Sequence, residues 1–567
     1  TPYAFGTTTD SGAATQDRIR FTANPGGAPG SAFNSFVFLD SAGVSIGRGM
    51  VVSDTGGTFG VVPTNLATAY WKGDLGTKAW NLGNWSSDLA GTTVTGLAPT
   101  GATDVILSAT GQAGQDVMVL GEDMQVKSLT VNNENPATAV NLQSTGGYTL
   151  TVVDAAAITV DSGAPATTIG TPVAFSAATA TVAVNSTNAL TLGGAVSGGA
   201  LTKTGAGVLV LGGNSTYTGL TTVSEGALRV THGNALGATG AGTTVSTGAV
   251  LELDGGITTA AEPLVLNGSG ISTDGALRSV SGNNTYAGTV TLNTDSRIQS
   301  DADTLTVGGA ISGTNRNLTF SGDGNTTVSN AAGVSIGTGD LVKEGAGILT
   351  FSASTSSSVG STTVNGGDLI VNGTLANTDA GTNVTVGTGA FLGGDGGSIT
   401  GTTLIDGGLS TGTDTQSFET GALTFTGDVT FGAGSFWFID LVQGNGSIAS
   451  DSISITGNLN ITSGAELSFL TQNAFTQTEQ FTIATFTGGR TGEFTFGGSA
   501  WLDGEERDVL GNQYLITYGS NSITLTAVPE PGTLGLLGLA LGGFFLRRLR
   551  KRRGEMVIEQ RVDQREE

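Results

Sequence analysis

The chain has 567 residues, a formal net charge of −24 and no cysteine, which excludes disulfides, thiolate metal sites and cysteine nucleophiles. Its 93 glycines, about 16% of residues against a usual ~7%, come with only 11 prolines and no Gly-X-Y period, so the chain is rich in tight turns without being collagen-like. Charged residues reach only 12%, Thr, Val, Ala and Ser are plentiful, and 38% of residues are hydrophobic; this favours pleated sheet over helix and a packed core over disorder. Residues 1–66 read as a β-rich segment with no recognisable motif. Thr1 is not an initiator methionine and no charged-then-apolar signal opens the chain, as expected of a processed chain or a fragment. Residues 67–130 are expected to form a Trp-bearing cap. Tyr70-Trp71-Lys72-Gly73, Ala79-Trp80-Asn81 and Asn84-Trp85-Ser86 place three of the five tryptophans close together. Such a cluster either closes the first coil of a stack or offers a platform for sugar rings; the cap is the preferred reading.

Residues 131–430 are internally repetitive. Leu201-Thr202-Lys203-Thr204-Gly205-Ala206-Gly207-Val208-Leu209 returns as Leu341-Val342-Lys343-Glu344-Gly345-Ala346-Gly347-Ile348-Leu349. Thr221-Thr222-Val223 matches Thr362-Thr363-Val364, and Asn214 to Gly219 echoes Asn283 to Gly288. Short strands with glycine or asparagine corners, none able to bury its own apolar face, predict coils that stack in parallel and share one core. At roughly 20 residues per coil and about 4.8 Å per rung, residues 100–430 would give roughly 16 coils and a stack near 80 Å. A string of β-sandwiches is the alternative. The unit L-T-K-x-G-x-G-x-L-x-L, then N-x-Y-x-G-x-T-x-V and G-x-L-x-V, resembles the autotransporter-associated β-strand repeat of surface-adhesin passenger domains. The resemblance covers 201–230 closely and 341–371 with the Asn-Tyr segment replaced by Ser354 to Gly360. It implies an adhesin-like or structural surface protein.

Residues 431–527 turn Phe-rich and are expected to form a β cap. The cassette at 528–553 follows. Val528-Pro529-Glu530-Pro531 leads into Gly532 to Leu546, which is free of charge, and then into the basic cluster Arg547, Arg548, Arg550, Lys551, Arg552 and Arg553. The apolar span predicts one transmembrane helix, with the basic cluster cytoplasmic and the body across the inner membrane. The cassette resembles the PEP-CTERM sorting signal of Gram-negative bacteria, labelled in some collections an ice-binding-protein C-terminal domain. The resemblance implies an exosortase-type membrane enzyme as partner, at least transient contact with the inner membrane, and display at the cell surface or in a biofilm matrix, where extracellular polysaccharide is a candidate ligand. Residues 554–567 are expected to form a polar cytoplasmic tail. The expected fold class is thus all-β, a right-handed parallel β-helix with a C-terminal single transmembrane helix.

Charge and motifs exclude several activities. Eight of the 22 basic residues lie in 547–567, leaving 14 basic against 41 acidic side chains before them. Such a body repels phosphate backbones, so no nucleic-acid partner is expected, whereas it suits the collection of divalent cations. His232, the only histidine, falls at a coil corner, and no metalloprotease, P-loop or nucleophile-elbow motif occurs. Carboxylate pairs at Glu122-Asp123, Asp301 with Asp303, and Glu505-Glu506 raise the alternative of a glycan-active solenoid enzyme. Thr-rich strands raise that of ice binding. Gly393-Gly394-Asp395-Gly396-Gly397 is a single calcium-like glycine–aspartate turn. No catalytic residue, metal ligand or cofactor is assigned from the sequence.

Overall fold

The computed structural model describes residues 18–21, 36–39, 45–53, 59–63 and 66–528, except 74–77, 82–83, 94–97, 111–112, 413–419, 445–446 and 472–478. The chain divides into two compact units, 1–349 and 350–567. Each is all-β where described, and the architecture is a right-handed β-solenoid.

In the first unit, Arg18–Phe21, Phe36–Leu39, Ser45–Ser53 and Phe59–Pro63 form an antiparallel sheet in chain order. From Thr68–Trp71 onward most pairing becomes parallel, each strand lying on the equivalent strand of the coil before it. Thr179–Val184, Leu190–Leu192 and Val196–Ser197 make one such coil. Ala200–Thr204 and Val208–Leu211 of the next coil lie in register upon the first two. Strands this short still specify a face, because side chains alternate in and out. In Leu190–Leu192 both leucines are buried and Thr191 points outward. Repeated coil after coil, that alternation builds interior columns, one of which runs Ile158, Val182, Lys203, Val223, Val245, Leu266, Leu292. Parallel stacking satisfies the backbone groups of inner rungs, so the core grows without exposing new edges.

In the second unit one face stacks Ser356–Val359, Thr374–Asn377, Gly397–Thr400, Ala422–Thr426 and Ser452–Thr456. Another stacks Asp368–Val371, Phe391–Gly394, Gly408–Thr411, Phe436–Gly444 and Glu466–Thr471. The residue step between rungs ranges from 17 (Phe391 beside Gly408) to 31 (Ile455 beside Phe486), so loops at the corners absorb insertions while the rungs keep register. The stack then stops. Gln480–Phe486 lies parallel to Ser452–Thr456 but pairs antiparallel with Ser522–Val528, which pairs antiparallel with Asn512–Tyr518. Beneath this meander Phe431, Trp437 and Phe494 pack at ring distances of 5.1–5.8 Å, and Phe469, Phe496 and Trp501 at 5.4–6.0 Å.

One expectation requires correction. No helix among the described residues is long and apolar enough to cross a membrane; their helical turns are the three-residue 3-10 segments Gln115–Val117 and Ile271–Thr273. A C-terminal transmembrane helix is therefore not part of the described fold, and neither is an inner-membrane-spanning C-terminus. By length alone, Gly532 to Leu546 would span about 22 Å as a helix, short of a hydrocarbon core of roughly 30 Å. Residues 529–567, on which the helix, the basic cluster and the polar tail were placed, lie outside the described residues.

Candidate functional site

The repeat motif is a corner device. Leu201 and Lys203 both point inward, being 1% and 0% exposed, because the strand alternates through Thr202. At Gly205 the chain turns with φ +74°, a left-handed conformation natural to glycine, and a Cβ on Gly207 would lie 2.1 Å from the Ser186 carbonyl oxygen. The Lys203 ammonium folds under this turn and donates to the carbonyls of Thr204 (2.9 Å), Gly205 (2.6 Å) and Glu225 (3.1 Å). Burial pushes its pKa down to about 8, opposed by the nearby Glu225 charge. The second copy repeats the arrangement: Lys343, 3% exposed, donates to Glu344 O at 2.8 Å and Gly345 O at 3.0 Å, and Gly345 has φ +72°. The repeated lysine therefore serves the fold.

The repeat tyrosines are interior too. Tyr217 and Tyr286 are 1% and 0% exposed. The Tyr217 hydroxyl lies 2.8 Å from Thr221 Oγ1, and Tyr286 donates to the Glu262 carbonyl at 2.7 Å. Glu262 is buried between them, accepting from Thr243 Oγ1 at 2.5 Å, and desolvation pushes its carboxyl up to about 7. Desolvation raises both phenols as well.

The residues that suggested chemistry do not converge. Asp123 caps the Thr149 amide at 2.8 Å. Asp301 pairs with Arg278 at 2.7 Å, whereas Asp303 accepts from the Gly282 amide at 2.8 Å. Glu505 engages Arg507 and the Leu502 amide, and Glu506 is an exposed residue at the start of Glu506–Val509. His232 sits in a bend, its Nδ1 accepting from the Asn234 amide at 3.1 Å. Among the described residues no group of three or more His, Asp or Glu is arranged as a metal cage. Trp71, Trp80 and Trp85 are 1%, 0% and 0% exposed, with edge-to-face ring distances of 5.2 Å. Their indole nitrogens donate inward, to Ala113 O, Met118 Sδ and Trp80 O respectively, so they make a closed core and no platform for sugars.

The outward faces carry the remaining chemistry. Arg229, Glu252, Arg278 and Asp301 form a lateral ionic ladder with N–O distances of 2.8, 3.7 and 2.7 Å along it. Threonine ladders run Thr181, Thr202, Thr222, Thr244 on one face and Thr258, Thr285, Thr306, Thr327 on another. The first gives way to Val265, so no broad regular threonine plane extends along it.

One buried acidic pair had no sequence signal. Asp440 in Phe436–Gly444 and Asp451 between Ser447–Ser450 and Ser452–Thr456 are 4% and 0% exposed. Burial pushes Asp440 up to about 8 and Asp451 up to about 7. They are 11 residues apart, and only the hairpin between them makes them neighbours.

Comparison with known families agrees with this architecture. The passenger-associated-transport repeat matches residues 201–230 and 341–371, which hold the two lysine corners. The PEP-CTERM protein-sorting motif matches residues 527–551, starting within the last strand, Ser522–Val528. This is a PEP-CTERM-bearing, passenger-repeat β-solenoid protein. The sorting motif makes it an exported surface protein. Over 206 residues, 36% of this chain, it is 33% identical to the adhesin BmaC autotransporter of Brucella suis biovar 1 (strain 1330), and it spans about 5% of that relative's length. Of the sorting residues, Val528 ends the last strand; Pro529, Glu530, Pro531 and the basic cluster lie outside the described residues.

Proposed function

We propose that this protein is a non-enzymatic, adhesin-like or structural scaffold, exported and displayed at the cell surface, and processed by an exosortase-type membrane enzyme. Val528, Pro529, Glu530 and Pro531 act as its recognition motif, with Arg547, Arg548, Arg550, Lys551, Arg552 and Arg553 completing the signal. The observation that carries the reading is the order of parts. Stacked passenger repeats are closed by an antiparallel meander, and its last strand runs straight into the sorting motif. The outward hydroxyl and ionic ladders suit contact with hydrated extracellular polysaccharide, which hydrogen-bonding side chains recognise along an extended surface. The Trp-bearing segment at 67–130 serves as one cap; in the Phe-rich segment at 431–527 the parallel rungs continue through Glu466–Thr471, and the antiparallel strands after them serve as the other.

The test replaces Pro529, Glu530 and Pro531 with alanine in the producing cell. The expected result is loss of C-terminal processing, read by intact-mass spectrometry, together with loss of surface display, read by accessibility to added protease. Unchanged processing and display would overturn the sorting role. A glycan-binding screen of the secreted body tests the adhesive part separately.

A further inference from the structure

The hairpin of Phe436–Gly444 and Ser447–Ser450 pairs Leu441 with Ser450, which sets Asp440 opposite Asp451 one step further along. Their backbones confirm the register, Asp451 N donating to Asp440 O at 3.0 Å. Like charges directly opposite across an antiparallel pair repel, and burial strengthens that repulsion. Asp451 is partly provided for: Oδ2 accepts from the Asp440 amide at 3.0 Å and Oδ1 from the Gly421 amide at 2.8 Å. The Thr411 hydroxyl lies close enough to favour its charged form, yet is itself buried without a hydrogen-bond partner. Asp440 is not. Its Oδ1 is buried without a hydrogen-bond partner, in a residue only 4% exposed. The charged group that Asp451 feels besides its partner is another acid, Asp395, from the glycine–aspartate turn at 393–397, which holds the Ala422 amide at 3.3 Å. Two facing carboxyls, one of them with the orphaned Asp440 Oδ1, and the Thr411 hydroxyl form a set of hard oxygen donors that lacks a positive charge.

We propose that Asp440 and Asp451, with the Thr411 hydroxyl, form a calcium site that fastens the 436–450 hairpin to Gly408–Thr411 and Gly421. Calcium fits better than magnesium because the oxygens come from irregular loop and strand-end positions, and calcium tolerates irregular geometry where magnesium demands an octahedron. Two protein carboxylates place the affinity in the weak class typical of extracellular modules, about 10⁻⁴–10⁻³ M.

The full chain is titrated with calcium chloride against sodium chloride of equal ionic strength, with calorimetry and thermal unfolding as readouts. Calcium is expected to bind and to raise the unfolding temperature. Asp440→Asn removes the facing charge while keeping size. It should unfold no lower than wild type without calcium, and its calcium affinity should fall at least about tenfold. Thr411→Val keeps both carboxylates and should weaken binding by less, and it carries the same comparison if D440N does not fold. Absence of any wild-type response at about 10 mM calcium overturns the proposal. So does a response of wild-type size in D440N or, where that variant is unfolded, in T411V.

Discussion

Lys203 holds an ammonium in a column otherwise built of Ile158, Val182, Val223 and Val245, and its three carbonyl partners make that position tolerable. Lys203→Met keeps the hydrophobic stem and strands those carbonyls. The expected cost is about 1–3 kcal/mol, measured by denaturant unfolding. Its folded pKa lies below the unfolded one, so the folded state binds fewer protons between about 8 and about 10.5, and stability rises with pH across that window; the variant should lose this slope. Glu262 works in the opposite sense. Its folded pKa is raised to about 7 from 4.5, so its contribution is complete below pH 4.5 and is lost as pH rises through 7. Glu262→Gln should flatten that part of the stability profile, read from unfolding midpoints between pH 4 and pH 8. The inward direction of Lys203 was legible in the alternation of Leu201, Thr202 and Lys203. The burial of Glu262 was not, because it depends on Thr243, Tyr217 and Tyr286 reaching one interior corner from different coils.

At the scale of elements, a parallel stack ends in a row of unpaired backbone groups, and such an edge templates aggregation unless it is covered. Here the cover is Ser522–Val528, antiparallel to Gln480–Phe486, with Asn512–Tyr518 antiparallel to it in turn. Leu525 is fully buried in that cover. Leu525→Ala should cost about 2–5 kcal/mol through the cavity it leaves. Leu525→Pro removes a ladder donor as well and should turn the loss into concentration-dependent association, detectable by light scattering. The Phe-rich texture of 431–527 led to the expectation of a β cap, yet Phe436–Gly444, Ser452–Thr456 and Glu466–Thr471 continue the parallel rungs before an antiparallel end. Its antiparallel order was hidden, since alternation alone cannot tell parallel from antiparallel neighbours. The same limit concealed Asp440 and Asp451, which become partners only when a turn folds them together.

For the whole molecule, repetition made the architecture readable. The recurrence of Leu201 to Leu209 at Leu341 to Leu349 marks equivalent corners, and a chain whose coils contact their neighbours must stack to bury its core. Tryptophan spacing at 71, 80 and 85 led to the expectation of a cap, and the three rings are buried. The expected membrane helix falls on 532–546, outside the described residues, and no helix among the described residues is long and apolar enough to cross a membrane. Carboxylate pairs adjacent in sequence proved poor guides to a site: Asp301 and Asp303 serve different partners, one an arginine on the previous rung and one a backbone amide. With no disulfide to hold it, the body depends on interior columns and corner polar bonds, and weakening of one coil should spread to its neighbours before the rest unfolds. Hydrogen exchange on Leu209→Ala should therefore show lost protection in the adjoining rungs first.

The last strand has two claimants. Ser522–Val528 is held between Gln480–Phe486 and Asn512–Tyr518, and Val528, the residue before Pro529, is itself paired with Gln513. Under the sorting role proposed above, a processing enzyme that takes hold of Val528 would compete with the meander for its backbone groups. If sorting acts as proposed, early zipping of Ser522–Val528 would withhold Val528, the one residue of Val528-Pro529-Glu530-Pro531 in that strand, and late zipping would leave it free to the end.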